Sequence, residues 1–90
     1  MKALRIVVSG RVQGVCFRAF TLDLAKYLGV SGSVRNLPDG TVLIHAQGED
    51  DAIDRFLKGV SRGPSYAAVA DVQVKETVFE KELTDFSIGF

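Results

Sequence analysis

Two short segments of this chain carry residue types whose spacing could do chemistry. In the first, Ser9-Gly10-Arg11-Val12-Gln13-Gly14-Val15-Cys16-Phe17-Arg18, two glycines precede a run with helical spacing. Glycine lets the backbone curl and approach a ligand closely, and a helix start offers unpaired N–H groups and the positive end of a dipole. Such a loop is an anion cradle. Arg18, at the helix start, could close it with a planar two-pronged fork suited to phosphate or carboxylate. The same residues also suit a plain turn that leaves Arg18 exposed.

Known phosphate motifs do not fit the loop. A nucleotide P-loop needs G-x-x-x-x-G-K-[ST], whereas three residues separate Gly10 from Gly14 and no lysine follows. The dinucleotide fingerprint G-x-G-x-x-G does not occur. A cysteine-based phosphatase needs a longer loop between thiolate and arginine to encircle the phosphate, but only Phe17 lies between Cys16 and Arg18. Cys16 is therefore expected to be a buried or half-buried small hydrophobe. One cysteine closes no internal disulfide, and with the single His45 it makes no zinc site of the usual four-ligand kind. Serine-histidine-aspartate chemistry would have to run through His45, which sits between Ile44 and Ala46 and reads as a sheet side chain on the face of Leu43 and Gln47.

The second segment is Gly32 to Val42, in which Asn36 stands just before Leu-Pro-Asp-Gly. Asparagine there is a common strand-end or turn residue, and it is also an amide that could orient a water molecule. The acidic group Glu49, Asp50, Asp51 and Asp54 reads as charge at a helix N-terminus rather than a metal site. Tyr27 and Tyr66 are expected to be packing residues.

The elements that must position these segments follow from hydrophobic period. Residues 2 to 8 predict a strand with Leu4, Ile6 and Val8 on one face. Phe17, Phe20, Leu24 and Leu28 predict a helix that stops at Gly29. Val30 to Asn36 and Thr41 to Gln47 predict a hairpin turning at Leu37-Pro38-Asp39-Gly40. Ile53, Phe56, Leu57 and Val60 predict a second helix, opened by Asp50 and Asp51 and ended by Ser61-Arg62-Gly63-Pro64. Ala70, Val72 and Val74 predict a half-buried strand, and Phe86, Ile88 and Phe90 a last one. The order β-α-β-β-α-β plus a short C-terminal strand makes the fold class α+β. The expected architecture is a ferredoxin-like α/β sandwich, with two helices on one face of an antiparallel sheet.

At 90 residues and 47% hydrophobic, the chain has enough apolar side chains for one core, so residues 1–90 are expected to form a single domain. Eleven bases balance eleven acids, which argues against a general nucleic-acid or membrane-surface binder. The balance is uneven along the chain. Residues 1–36 carry +5, with Asp23 the only acid, and residues 37–90 carry −5. The longest stretch free of Asp, Glu, Lys and Arg is nine residues, Gly40 to Gly48, against the ~20 a membrane-spanning helix needs. With no export signal after Met1, a cytoplasmic location is expected.

Taken together, G-R-V-Q-G-V-C-F-R at Gly10 to Arg18 and G-S-V-R-N-L-P-D-G-T-V at Gly32 to Val42 resemble the acylphosphatase family. The resemblance covers essentially the whole chain, including a Phe-Ser-Ile-x-aromatic end at Phe86 to Phe90. It implies hydrolysis of small acyl phosphates to carboxylate and inorganic phosphate by metal-free attack of a positioned water, without cofactor. It makes Arg18 the phosphate-binding arginine and Asn36 the residue that positions the water. Backbone N–H groups of Gln13, Gly14, Val15, Cys16 and Phe17 would complete the phosphate loop, and Arg11 has no assigned catalysis. The chain departs from many relatives at Ser9, Ser33 and Gly89, none of them in the catalytic pair. The expected partner is a small-molecule acyl phosphate, with no nucleic acid and no membrane, and the chain is expected to act as a monomer. The alternative is a non-catalytic phosphate- or nucleic-acid-binding ferredoxin-like module, against which stand the zero net charge and the missing aromatic sheet motif of RNA binders.

Overall fold

The computed structural model describes residues 1–89. In chain order they form β1 (Lys2–Arg11), α1 (Phe17–Leu28), β2 (Ser31–Asn36), β3 (Val42–Gly48), α2 (Asp50–Arg62), β4 (Ala68–Glu76) and β5 (Phe86–Ile88). This is the element order that the hydrophobic periods predict, with ends shifted by a few residues. Phe90, the end of the expected last alternation, lies outside the described residues.

The strands form one sheet in the order β4-β1-β3-β2-β5. β1 pairs antiparallel with β3 and β4, and β2 antiparallel with β3, while β5 runs parallel to β2. The sheet is therefore mixed only at its short edge strand. α1 packs on β2 and β5, and α2 on β1, β3 and β4, so the two helices cover one face.

The core lies between these layers. Leu4, Ile6 and Val8 of β1 and Val42, Ile44 and Ala46 of β3 supply the sheet side at period two, as their alternation predicts. Ile53, Phe56 and Val60 supply the α2 side, and the Phe56 ring meets Phe86 at 5.9 Å between centroids. On α1 the fully buried line is Phe17, Thr21 and Ala25, with Leu24 and Leu28 only half-buried beside it. The helix is thus rotated slightly from the expected stripe, which counted only apolar types. Buried Thr21 is tolerated there because its hydroxyl donates to the Phe17 carbonyl at 2.9 Å. A side chain at Gly59 on α2 would strike Leu24, so glycine sets the close approach of the two helices.

Expectations about burial fail at β4 and at the two tyrosines. β4 is an edge strand, and of its alternating residues only Val72 is half-buried, while Ala70 is exposed and Val74 is 45% exposed. Alternation reports which residues share a face but not whether a helix covers them. Tyr27 and Tyr66 are exposed at 86% and 79% and do not pack. β1 also runs past Val8, through a register shift between Ser9 and Gly10. Gly10 has φ of 116°, and any Cβ there would meet the backbone of Ala68 and Ala70, so the bulge requires glycine.

Candidate functional site

The loop between β1 and α1 is pinned at both ends by buried apolar side chains, Val12 and Phe17, each 1% exposed. Between them the backbone bends at Gly14, with φ of 72°, and at Cys16, with φ of 62° and ψ of 23°. Cys16 is the one non-glycine among the described residues with positive φ, a conformation rarely adopted by L-residues. Its thiol is exposed, which corrects the expected buried or half-buried role. What Cys16 contributes is backbone. Its carbonyl accepts the first helical bond of α1, from the Phe20 N–H at 3.0 Å.

The N–H groups of Phe17, Arg18 and Ala19 therefore lie in the first turn, ahead of the helical ladder. No side chain caps this end, and no acidic residue stands in its first turn. The positive end of the helix dipole is left uncompensated where the chain leaves the loop.

Gln13 ties this loop to the hairpin. Its side-chain amide donates to the carbonyls of Leu37 and Thr41, both at 2.8 Å. These carbonyls flank the turn that follows Asn36, so the cradle loop and the end of β2 are held as one unit. Within the turn, Leu37 N–H donates to the Thr41 carbonyl at 2.9 Å. The Asp39 carboxylate accepts from the Thr41 hydroxyl at 2.6 Å and the Thr41 N–H at 3.0 Å. The Thr41 hydroxyl and then its amide hold the Asp39 pKa below the ordinary carboxylate value.

Asp39 closes the turn, so Asn36 does not have to. The Asn36 side chain makes no hydrogen bond in the turn, and its Oδ1 is buried without a partner among the described residues. An orphaned buried amide oxygen is rare in a structural role. Asn36 borders a cavity of about 250 Å³, together with Val12, Gly14, Cys16, Phe17, Arg18, Ala19 and Ile88.

Arg18 enters the same cavity from the first turn of α1, held from the far side by the C-terminal segment. Its Nη1 donates to the Gly89 carbonyl at 3.3 Å. Gly89 in turn extends the β5 pairing, its N–H donating to the Val34 carbonyl at 2.8 Å. The contact uses the backbone of residue 89, so the glycine there costs Arg18 nothing. The loop after β1, together with α1, β2 and β5, thus delivers one site.

Of the residues expected in the site, Gly14, Cys16, Phe17, Arg18 and Asn36 border the cavity. Val15 is half-buried against the core, and Gln13 is engaged with the hairpin carbonyls. Arg11 pairs with Ala68 at the end of β1 and does not border the cavity. His45 lies on the opposite face of the sheet, beside Leu43. Sequence reading missed Val12, Ala19 and Ile88 as walls. It also missed the tether made by Gln13, whose partners are 24 and 28 residues away and leave no local signal.

The acylphosphatase family model matches residues 4–88. An acylphosphatase of Thermotoga maritima is 52% identical over 90 residues, covering 100% of this chain and 99% of the relative. One from Archaeoglobus fulgidus is 52% identical over 80 residues, or 89% of this chain and 90% of the relative. The crystal structure of an acylphosphatase from Bacillus subtilis superposes with a TM-score of 0.95 at 38% identity, each chain covered over 100% of its length. A match across the whole sheet and both helices, with both signature segments meeting at one cavity, settles the descent: the chain belongs to the acylphosphatase family.

Proposed function

We propose that this acylphosphatase binds the phosphate of its substrate on the loop from Gln13 to Phe17, clamps it with Arg18, and directs water from Asn36. The observation that supports the reading is convergence. A guanidinium, a helix start without acid, and an amide with a free buried oxygen border one cavity, though Arg18 and Asn36 come from different elements.

The chemistry asks for little more. An acyl phosphate expels a carboxylate whose conjugate acid has a pKa of about 4, so no general acid is needed near neutral pH. A loose phosphoryl-transfer transition state spreads charge over equatorial oxygens, which loop N–H groups and the Arg18 fork stabilise. Water that donates one hydrogen to Asn36 Oδ1 turns a lone pair toward phosphorus, and alignment of that kind replaces deprotonation early in the attack. A phosphate oxygen of the substrate takes the proton. The acyl group projects out of the cradle, which predicts weak selectivity among small acyl phosphates.

We further assign the whole of residues 1–90 to one domain, acting as a cytoplasmic monomer without cofactor, metal or nucleic acid. All the site residues named come from one chain, net charge is zero, and no helix among the described residues is long and apolar enough to cross a membrane. The test is turnover of benzoyl phosphate by the purified protein in excess EDTA. Sustained hydrolysis is the expected result. Loss of turnover on chelation, restored by a divalent ion, would contradict the metal-free reading.

A further inference from the structure

The sheet face opposite the helices carries positive charge that the catalytic site does not use. Pairing registers align Lys75 on β4, Arg5 on β1, His45 on β3 and Ser33 on β2 in one row across the sheet. Residues two apart on a strand share a face, so Arg35, Leu43, Val7 and Gln73 form the next row on the same side. Arg5, Arg35 and Lys75 are exposed, and none has an ion pair among the described residues. The other bases of the positive N-terminal part include Lys2, which is paired with Asp54, and Arg18, which is in the cavity. The carboxylate that strand positions contribute to this face is Asp71, two rows from Lys75 and bonded by Gln73 at 3.5 Å.

Two depressions lie on this face. One, of about 270 Å³, is bordered by Arg5, Ser33, Arg35, Leu43 and His45. The other, of about 300 Å³, is bordered by Arg5, Val7, Gln73, Val74 and Lys75. Arg5 borders both, so they adjoin. His45 Nε2 is buried at the floor of the first and has no hydrogen-bond partner among the described residues.

We propose that this face holds a second anion site, which takes a short chain of linked phosphates lying across Lys75, Arg5 and Arg35. Strands about 4.8 Å apart spread the row from β4 to β2 over roughly 14 Å, more than one phosphate spans. Arginine forks match successive phosphate groups, and the Ser33 hydroxyl and His45 Nε2 supply hydrogen-bond partners beneath them. No strand position on this face is Phe, Tyr or Trp, so the face lacks the large rings on which successive nucleobases stack, which separates a bare polyphosphate from single-stranded nucleic acid. The proposal is independent of the acylphosphatase mechanism, because none of these residues borders the catalytic cavity.

The probe is tripolyphosphate, titrated at low ionic strength into the full chain while backbone amide resonances are followed by NMR. Shifts at Arg5, Ser33, His45 and Lys75 are expected, with an affinity that falls as salt is added. Arg5→Gln with Arg35→Gln should weaken binding on this face about tenfold or more, since even one lost charge-assisted contact is of that order. Benzoyl phosphate hydrolysis should stay unchanged, and the amide spectrum shows directly whether the variant is folded. Shifts confined to residues 13–18, or an affinity unaffected by the double substitution, would overturn the site. Equal affinity for oligouridylate or a tetraglutamate peptide would overturn its assignment to polyphosphate.

Discussion

The two helices of this protein begin in opposite ways. α2 starts after Glu49 with Asp50 and Asp51 in its first turn, and Asp51 also pairs with Arg55 at 3.4 Å. Three carboxylates meet the positive end of the dipole, which is the stabilising arrangement for a surface helix. α1 starts after Cys16 in the left-handed conformation, with no acid in its first turn and with Arg18 placed there instead. By the rules that favour stability, that end is wrong. A helix start that forgoes its own compensation is available to a ligand, and the charge missing from α1 is the charge a bound phosphate brings. In the proposed reading, the same local physics serves folding at one helix and binding at the other.

Substitutions that exchange these characters have graded consequences. The largest is expected from Arg18→Ala, which removes the guanidinium from the cradle. Arginines that meet transition-state charge are worth roughly 10³ to 10⁵ in rate, and steady-state hydrolysis of benzoyl phosphate should fall by that order. Lysine at position 18 should restore little, since it lacks the planar fork.

Asn36→Ala comes next. It leaves the α1 terminus intact and removes only the amide that faces the cavity, so kcat should fall on the order of 10², with inhibition by inorganic phosphate unchanged. Thermal melting should show the fold retained. If phosphate inhibition weakens in step with kcat, Asn36 is a binding residue; if activity is unchanged, it is only a turn residue.

Smaller effects should come from swapping charge at the helix starts themselves. Ala19→Glu gives α1 the acid it lacks, at an exposed position bordering the cavity. Inhibition by phosphate should weaken about tenfold, as expected from an opposed charge worth ~1.4 kcal/mol, while the melting temperature holds or rises. Asp51→Asn takes an acid from α2 and should cost ~0.3–1 kcal/mol in denaturant unfolding with unchanged turnover. Together the pair would show that an acid suits the fold at both termini but obstructs phosphate at only one.

Much of this arrangement was legible in the sequence, and the failures have physical causes. Period-two and helical spacings located every element, since Leu4, Ile6 and Val8 or Ile53, Phe56 and Val60 must face the same core. The loop glycines and Arg18 are readable because turns and helix starts leave local marks, whereas Asn36 stands out only through the family resemblance, its own surroundings fitting a strand-end or turn residue. Exposure was not, because Val74 and Ala70 alternate like core residues yet belong to an edge strand that no local pattern identifies. Cys16 departs from expectation for a related reason: residue type predicts burial, whereas this cysteine sits exposed in the left-handed turn into α1. Gln13 looked like one more loop residue until the fold brought Leu37 and Thr41 to its amide.

The central claim is that water held at Asn36 attacks phosphorus in the cradle beneath Arg18, rather than the acyl carbon outside it. Single-turnover hydrolysis of benzoyl phosphate in water enriched in oxygen-18, with both products analysed by mass spectrometry, tests this directly. The label is expected in inorganic phosphate, with none above the uncatalysed background in benzoate. Label in benzoate would place the nucleophile at the carbonyl and contradict the account.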